Sequence, residues 1–260
     1  MTLSNLLDFA GDAEWNGKYE AVLCRKALSP SKLPGIDHAL NPYGGCGHGC
    51  LYCYAPEVTH TEWEEWGTIR VKMGIESRLG KELASVKGVI GIGTTTDPYQ
   101  PAEKRFELTK KCLLKLKEKG MRIHLHTKSD LILRDLELLK EMEGDVAVTV
   151  TNIDERISAI IEPGAPAPMK RVNALKELTD AGISTYALVG PILSTLEGRE
   201  SEFVDAIVST GTERMYLDRL NLRPLLAQRM DDIGITGSPK TREKIKQLAS
   251  AAGIRVFSVF

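Results

Sequence analysis

The sequence predicts an α/β protein whose parallel strands form a partial or complete β/α barrel. From about residue 89, short apolar runs alternate with amphipathic helices, which is the pattern of a parallel sheet with right-handed crossovers. One strand-like run precedes a group of cysteines, five follow the group, and one more ends the chain. The segments after these runs are polar or rich in glycine, which suits one active site at the C-terminal ends of the strands. A doubly wound sheet is the alternative, since periodicity alone does not separate the two architectures.

Each element follows from a local pattern. The short apolar runs predict strands at residues 38–42, 89–93, 123–127, 146–151, 185–189, 215–220 and 254–259. Amphipathic stretches predict helices at residues 105–119, 135–142, 168–182, 200–209 and 239–252. Boundary signals support several of these helices: Gly120 stops the first, Pro168 fits a first helical turn, and Ser238 is a favourable N-cap.

The composition is that of a globular protein. Of 260 residues, 42% are hydrophobic and 27% are charged, and 34 basic against 35 acidic side chains give a formal charge of -1. This balance excludes disordered and low-complexity classes and argues against a broadly basic nucleic-acid binder. The acidic N-terminus lacks a secretory signal, and no apolar run approaches the roughly 18 residues that a membrane span needs. We therefore expect a cytoplasmic protein that does not contact a membrane.

Five cysteines are present, and three of them, Cys46, Cys50 and Cys53, lie within eight residues. An odd number without a signal peptide argues against a disulfide framework, so the crowding indicates a metal or cluster in a reducing compartment. Their loop, residues 41–55, has the spacing C-x-x-x-C-x-x-C and four glycines that let the backbone wrap a bulky group. Thiolates bind iron–sulfur clusters, and three cysteines leave one iron of a 4Fe–4S cluster open for another ligand. A zinc ion bound by the three cysteines and His48 is the alternative.

The cysteine loop resembles the cluster-binding loop of the radical S-adenosylmethionine (SAM) superfamily. Over residues 36–220 the chain is similar to the branch related to spore photoproduct lyase, often labelled DNA repair photolyase-like. This similarity is carried by residues 46–55, 96–103, 127–129 and 162–166. The resemblance implies a partial (β/α)6 barrel of the TIM type over residues 36–260, after an N-terminal extension of residues 1–35. It also implies a 4Fe–4S cluster whose open iron chelates SAM, which one-electron reduction cleaves to methionine and a 5′-deoxyadenosyl radical.

Individual site residues follow from the same resemblance. Lys128 matches a lysine that contacts the methionyl carboxylate of SAM in the lyase, and Thr96 and Asp97 match residues that contact the same cofactor. Tyr52 directly precedes Cys53, the last cysteine of the loop, and related enzymes have at this position a residue that packs against adenine. Tyr54 matches a tyrosine implicated in radical relay.

Thr95 is a departure from the lyase, which has a hydrogen-donating cysteine at the matching position. The O–H bond of threonine is too strong to donate a hydrogen atom readily, so repair of thymine dimers by that route is not expected. Tyr54 and Tyr99, or SAM re-formed by the reverse transfer, would then complete the reaction.

Strand alternation predicts which side chains face the barrel interior. On one strand, His124 and His126 share a face with Lys128, which predicts a polar interior and makes both histidines candidate substrate contacts; ordinary core histidines are the alternative. On the next strand, Thr149 and Thr151 would face the interior and suit contacts to ribose or a carboxylate, whereas ordinary strand packing is the alternative.

The predicted function is that of a radical SAM enzyme that abstracts hydrogen from an unidentified substrate, whether nucleic acid, peptide or metabolite. Arg219 and Arg223, near the end of the last barrel strand, are candidates for holding an anionic substrate. The implied protein partner is an electron donor such as ferredoxin or flavodoxin. One rival is an iron–sulfur electron-transfer or binding protein that never cleaves SAM and has no need of Asp97, Lys128 and a polar interior. A second rival, a zinc-stabilised nucleic-acid module, should carry a basic face.

Overall fold

The computed structural model describes residues 19–259, so the part of the predicted N-terminal extension before residue 19 lies outside the described residues. Within that range the strands form an eight-stranded sheet and a three-stranded sheet. No helix in this range is both long enough and apolar enough to cross a membrane.

The strands of both sheets are short. In chain order they are β1 (Tyr19–Leu23), β2 (Leu28–Pro30), β3 (His38–Leu40), β4 (Tyr43–Gly44), β5 (Ile69–Met73), β6 (Ile90–Ile92), β7 (Ile123–Thr127), β8 (Gly144–Thr149), β9 (Thr185–Val189), β10 (Arg214–Asp218) and β11 (Arg255–Val259). All seven strands predicted from the sequence are present, with ends that differ by up to two residues.

The strand order of the large sheet identifies the architecture. The order is β11-β10-β9-β8-β7-β6-β3-β2, and every neighbouring pair from β3 to β11 is parallel. A doubly wound sheet reverses its strand order at a switch point, and this order never reverses. The predicted α/β class with a parallel sheet is therefore confirmed, and the doubly wound alternative is wrong.

The helices follow the strands as predicted, with additions. They are α1 (Ala55–Val58), α2 (Ile75–Glu82), α3 (Glu103–Phe106), α4 (Leu108–Glu118), α5 (Leu136–Lys140), α6 (Glu155–Ile161), α7 (Pro168–Asp180), α8 (Glu200–Val208), α9 (Pro224–Asp232) and α10 (Pro239–Ala251). The Ser238 hydroxyl accepts the N–H of Thr241, as expected of an N-cap.

The helix predicted over residues 105–119 is divided in two. Glu107 has a φ of 51°, which ends α3 and starts α4. The carboxylate of Glu103 accepts the N–H groups of Thr109 at 2.9 Å and Lys110 at 3.1 Å. These N–H groups have no helical partner at the start of α4, so the buried carboxylate stabilises the break.

The hydrophobic core lies between the large sheet and its helices. Val146 and Val148 of β8 belong to the same buried cluster as Val172 and Leu175 of α7. The alternate side chains of β8 face the other way, and Thr149 lines the interior pocket described below. The sheet therefore has one apolar face towards the helices and one polar face towards the site.

The three-stranded sheet, in the order β1-β5-β4, was not predicted. Its strands are short and separated along the chain, and β5 carries charged side chains, so local pattern gave little signal. Because β4 ends two residues before Cys46, this sheet anchors the start of the cysteine loop. In the large sheet, β2 pairs antiparallel with β3 and adds a strand from the predicted extension. The domain boundary at residue 35 stays a prediction.

Candidate active site

A pocket opens at the C-terminal ends of the parallel strands, where the cysteine loop meets the segments after β6 to β10. Most of the predicted site residues line it: Cys46, Cys50, Cys53, Tyr52, Tyr54, Thr96, Asp97, His126, Lys128, Thr149 and Arg219. Four predicted residues are not brought to it: Tyr99, His124, Thr151 and Arg223.

Gln100 and Trp66 hold one side of the cysteine loop. The Gln100 side chain accepts the N–H of Gly47 at 2.8 Å and donates to the carbonyl of Gly45 at 3.1 Å, while the Cys46 N–H donates to the Trp66 carbonyl at 3.1 Å. Gly45 has a φ of 75°, and a Cβ there would lie 2.7 Å from the Trp66 carbonyl oxygen. Glycine is required at this position because both the conformation and the close approach exclude a side chain.

The C-terminal end of α6 and the segment after it hold the other side of the loop. The Leu51 N–H donates to the Ile161 carbonyl at 2.9 Å, and the Gly164 N–H donates to the His48 carbonyl at 2.9 Å. A Cβ on Gly164 would overlap the carbonyl oxygen of Gly47. The backbone at Gly164 thus lies so close to the cysteine loop that only glycine fits there.

Two cysteines of the loop, Cys46 and Cys50, are buried from water, and Cys53 is half-buried. Burial raises the pKa of Cys46 and Cys50 to about 12 and that of Cys53 to about 11, although Lys128 opposes the rise at Cys50. Their thiolates therefore need a positively charged partner. Across the part of the chain that the structure describes, no three His, Cys, Asp or Glu side chains converge to hold a single metal ion. All three cysteines line the same pocket, where each could supply a thiolate to a different iron of a cluster.

Asp97 joins three parts of the site. Its Oδ1 accepts the Thr127 hydroxyl at 2.6 Å and the Tyr99 N–H at 2.9 Å. Its Oδ2 accepts the Lys128 N–H at 2.7 Å and lies 3.4 Å from Nδ1 of His48. Burial alone would raise the pKa of Asp97, but His48 and the hydrogen bonds outweigh burial and lower it to about 2. Because protein groups occupy both oxygens, the ionised carboxylate fixes β6 and β7 against the cysteine loop.

Lys128 and Tyr52 lie together beside the cysteines. The Lys128 Nζ atom is 5.5 Å from the centroid of the Tyr52 ring, a cation–π distance. Both residues line the pocket with Cys50, whose pKa Lys128 lowers against the effect of burial. An ammonium group and an aromatic face are therefore available next to the thiols.

A buried carboxylate that the sequence analysis missed lies behind Tyr52. Glu162 accepts the hydroxyls of Tyr52, Thr151 at 2.8 Å and Ser158 at 3.1 Å, and pairs with the Arg171 guanidinium at 2.6 Å. Burial would raise the pKa of Glu162, but Arg171 reverses the shift and lowers it to about 2. The sequence offered one signal for Glu162: it directly follows the apolar end of α6. The segment 162–166 was considered only for its similarity to the lyase branch.

The predicted polar face of β7 is observed. The Nε2 atoms of His124 and His126 each lie 2.6 Å from the Tyr186 hydroxyl, which donates to one ring and accepts from the other. Burial lowers the pKa of His126 to about 3, so the ring is neutral. His126 reaches the pocket, while His124 does not line it. Tyr186 was missed because its strand, β9, reads as an ordinary apolar run.

Tyr54 and two arginines mark the mouth of the pocket. Tyr54 is 37% exposed, and the Arg223 guanidinium carbon lies 5.9 Å from its ring centroid. Arg219 lines the pocket together with Asp218, whose pKa burial raises. Arg223 does not line the pocket, but it contacts Tyr54, which does.

Two predicted residues point elsewhere: Tyr99, proposed as a hydrogen donor, and Thr151, whose predicted orientation assumed that strand alternation continues past the end of β8. Tyr99 is buried outside the pocket, where its hydroxyl donates to Asp135 at 3.1 Å. Thr151 lies two residues beyond the end of β8 and donates its hydroxyl to Glu162. Thr95 does line the pocket, and its N–H donates to the Asn41 side chain at 3.1 Å.

The fold and this site define a radical SAM protein. The chain belongs to the radical SAM superfamily, whose family model matches residues 40–201.

Two relatives are similar to this chain over most of its length. The uncharacterized protein MJ0683 of Methanocaldococcus jannaschii is 33% identical over 215 residues, which cover 80% of each chain. The uncharacterized protein Rv2578c of Mycobacterium tuberculosis is 31% identical over 196 residues, covering 68% of this chain and 57% of its own. The chain thus spans little more than half of the mycobacterial relative.

Solved structures share the fold. Spore photoproduct lyase complexed with dinucleoside spore photoproduct has a TM-score of 0.70 at 15% identity, over 92% of this chain and 82% of the lyase. Streptococcus suis SuiB bound to S-adenosylmethionine has a TM-score of 0.56 at 12% identity, over 85% of this chain and 49% of SuiB. At these identities the likeness concerns the fold alone.

Proposed function

We propose that the protein cleaves SAM reductively and directs the resulting radical to a substrate in the same pocket. The observation that supports this most strongly is the placement of Cys46, Cys50, Cys53 and Lys128 around one cavity. An electron-transfer protein would need the three thiols but would not need an ammonium group facing an aromatic ring beside them.

The residues around the pocket fit a 4Fe–4S cluster. Cys46, Cys50 and Cys53 supply three thiolates, one fewer than an ordinary cluster of this type takes, which leaves one iron for SAM. Among the described residues, the buried Nε1–H of Trp66 has no hydrogen-bond partner, and Trp66 packs against Cys46, so an unused donor lies beside the cysteine loop. When bound and reduced, the cluster supplies the electron that splits SAM into methionine and a 5′-deoxyadenosyl radical.

The neighbouring side chains would hold SAM. Lys128 would pair with its carboxylate, as an ammonium group in a partly buried site favours. Tyr52 would present its ring to adenine, since Glu162 fixes the phenol end of the ring. Thr149 would donate to ribose. Asp97 would act by holding the backbone of Lys128, because its own oxygens are already occupied.

The substrate would enter over Tyr54 and Arg219. The two arginines at the mouth favour an anionic substrate. Tyr54 is the tyrosine that reaches both solvent and pocket, and a phenol O–H is weaker than the Thr95 O–H. We therefore propose Tyr54, rather than the buried Tyr99, as the residue that exchanges a hydrogen atom with the substrate radical. A small carrier such as ferredoxin or flavodoxin is the proposed reductant.

The test is anaerobic reconstitution followed by incubation with SAM and dithionite. We expect about four iron and four sulfide per chain and slow formation of 5′-deoxyadenosine and methionine. Cys46→Ala, Cys50→Ala and Cys53→Ala should each abolish both, whereas Cys24→Ala and Cys112→Ala should not.

Two outcomes would contradict the proposal. A full cluster without any 5′-deoxyadenosine would favour an electron-transfer protein. Stoichiometric zinc without sulfide, in protein purified without oxygen, would favour a zinc module.

A further inference from the structure

Helix α9 packs on the cysteine loop although it lies beyond residue 201, where the match to the family model ends. Leu226 and Met230 of α9 belong to the same buried cluster as Cys50 and Tyr52. The Glu57 carboxylate accepts the Leu226 N–H at 2.8 Å, close to the start of the helix. A segment outside the matched region therefore covers the loop that carries the cysteines.

Arg229 makes the most specific contacts between α9 and this loop. Its Nε atom donates to the Leu51 carbonyl at 2.7 Å, and its Nη2 atom donates to the Cys53 carbonyl at 2.7 Å. The Cys53 N–H donates to the Cys50 carbonyl at 3.0 Å, so these residues form one tight turn between two cysteines. One edge of the guanidinium thus holds two carbonyls of the turn, which a lysine could not do with the same geometry.

Trp63 fixes the guanidinium from its other side. The Arg229 Cζ atom lies 3.6 Å from the centroid of the Trp63 ring, a stacking distance. Trp63 itself packs against the buried cluster that includes Cys46 and Trp66. The cation is therefore held in one place beside Cys53, partly shielded from water.

We propose that Arg229 is a positioning residue for the cluster: it fixes the turn that carries Cys53 and places a positive charge beside the reduced cluster. This inference rests on the proposed function. A fixed cation in partly desolvated surroundings stabilises added negative charge, so it favours reduction. Substitution separates the effect of fixing the turn from the effect of the charge. Lysine keeps the charge and loses the contact to two carbonyls, whereas glutamine loses the charge.

The test compares Arg229→Gln, Arg229→Lys and a control, Lys246→Gln, which removes one charge at an exposed position of α10. Each reconstituted protein is titrated with dithionite and followed by electron paramagnetic resonance. At a fixed potential we expect the ratio of reduced to oxidised cluster to fall about tenfold in Arg229→Gln, equivalent to about 59 mV for one electron. Arg229→Lys should keep a potential near wild type but show a changed signal and less iron. Lys246→Gln should match wild type in both.

The outcomes separate this inference from the proposed function. If wild-type protein assembles no cluster, the proposed function fails and the inference with it. If wild type assembles one and Arg229→Gln has the potential of Lys246→Gln, the inference alone fails. Loss of the cluster in Arg229→Gln, with the far-ultraviolet circular dichroism of the apoprotein unchanged, supports the positioning role. Loss of that dichroism in both Arg229 variants overturns it, because Arg229 would then support the whole fold.

Discussion

The carboxylate of Glu162 and the guanidinium of Arg171 lie 2.6 Å apart, and both side chains are fully buried behind the cysteine loop. Glu162 also accepts the hydroxyls of Tyr52 and Thr151, so one ion pair ties a pocket residue to α7 and to the segment that follows β8. A buried pair of this kind is costly to break, because the remaining partner keeps an uncompensated charge.

We therefore expect Arg171→Met to lower the free energy of unfolding of the apoprotein by roughly 3–5 kcal/mol in urea titrations. The double variant Glu162→Gln/Arg171→Met should recover part of this loss. The matched control is Lys176→Met, which breaks the exposed pair with Asp180 and should cost about 0–1 kcal/mol. Equal losses in the buried and exposed variants would show that the Glu162–Arg171 pair is not desolvated as described.

Gly164→Ala should disturb the cysteine loop without touching a cysteine. Its Cβ would overlap the Gly47 carbonyl, and the backbone must shift to accept it. We expect a loss of roughly 1–3 kcal/mol in the free energy of unfolding, together with reduced iron uptake. Gly67→Ala is the control, since a Cβ at Gly67 would meet no atom within 4 Å. Normal iron uptake by Gly164→Ala would mean that the loop tolerates the shift.

The neutral state of His126 predicts a pH dependence of stability. The folded pKa is about 3 because of burial, whereas the unfolded ring titrates near 6.5. The unfolded chain binds the proton first as the pH falls, so the stabilising contribution is complete above pH 6.5 and declines from there towards pH 3. We expect a loss of about 1 kcal/mol between pH 7.5 and 5.5 from this group. His126→Gln should flatten the slope of unfolding free energy against pH, and an unchanged slope would contradict a buried neutral ring.

Lys128→Ala should weaken binding of SAM to the reconstituted protein. Loss of one partner of a partly buried, hydrogen-bonded charge pair costs about 2 kcal/mol, a roughly thirtyfold increase in Kd. Isothermal titration under anaerobic conditions measures it, with the exposed Lys140→Ala as the control. An affinity equal to wild type would remove Lys128 from the SAM site.

The absence of a hydrogen-donating cysteine predicts poor repair of spore photoproduct. Among the described residues, the cysteines that line the pocket are Cys46, Cys50 and Cys53, and Thr95, which the sequence resemblance matches to the lyase's donor, also lines it. We expect few or no turnovers when reconstituted enzyme is incubated with a dinucleotide spore photoproduct and released thymidine pairs are measured. Many turnovers that survive in the Cys24→Ala/Cys112→Ala double variant would show that the argument from Thr95 is wrong.

Local sequence pattern was sufficient to predict the central strands and the group of cysteines. The strands β7 and β9 were predicted with their observed ends, because an apolar run between turn signals needs no information from elsewhere in the chain. The spacing of Cys46, Cys50 and Cys53 indicated a cluster for the same reason, since the three candidate ligands are close in sequence. The shared face of His124 and His126 followed from the two-residue period of a strand.

Contacts between residues that are distant in sequence became apparent only in the tertiary structure. The Glu162–Arg171 pair, the Tyr186 hydroxyl between two histidines and the hold of Arg229 on the Cys53 turn each join separate elements. Each of these residue types is common on protein surfaces, and its role depends on whether folding removes it from water beside a partner. Burial and pairing are properties of the packed chain, so the amino-acid order alone determined the parallel strands and the spacing of the three cysteines, while tertiary packing decided which charged side chains support them.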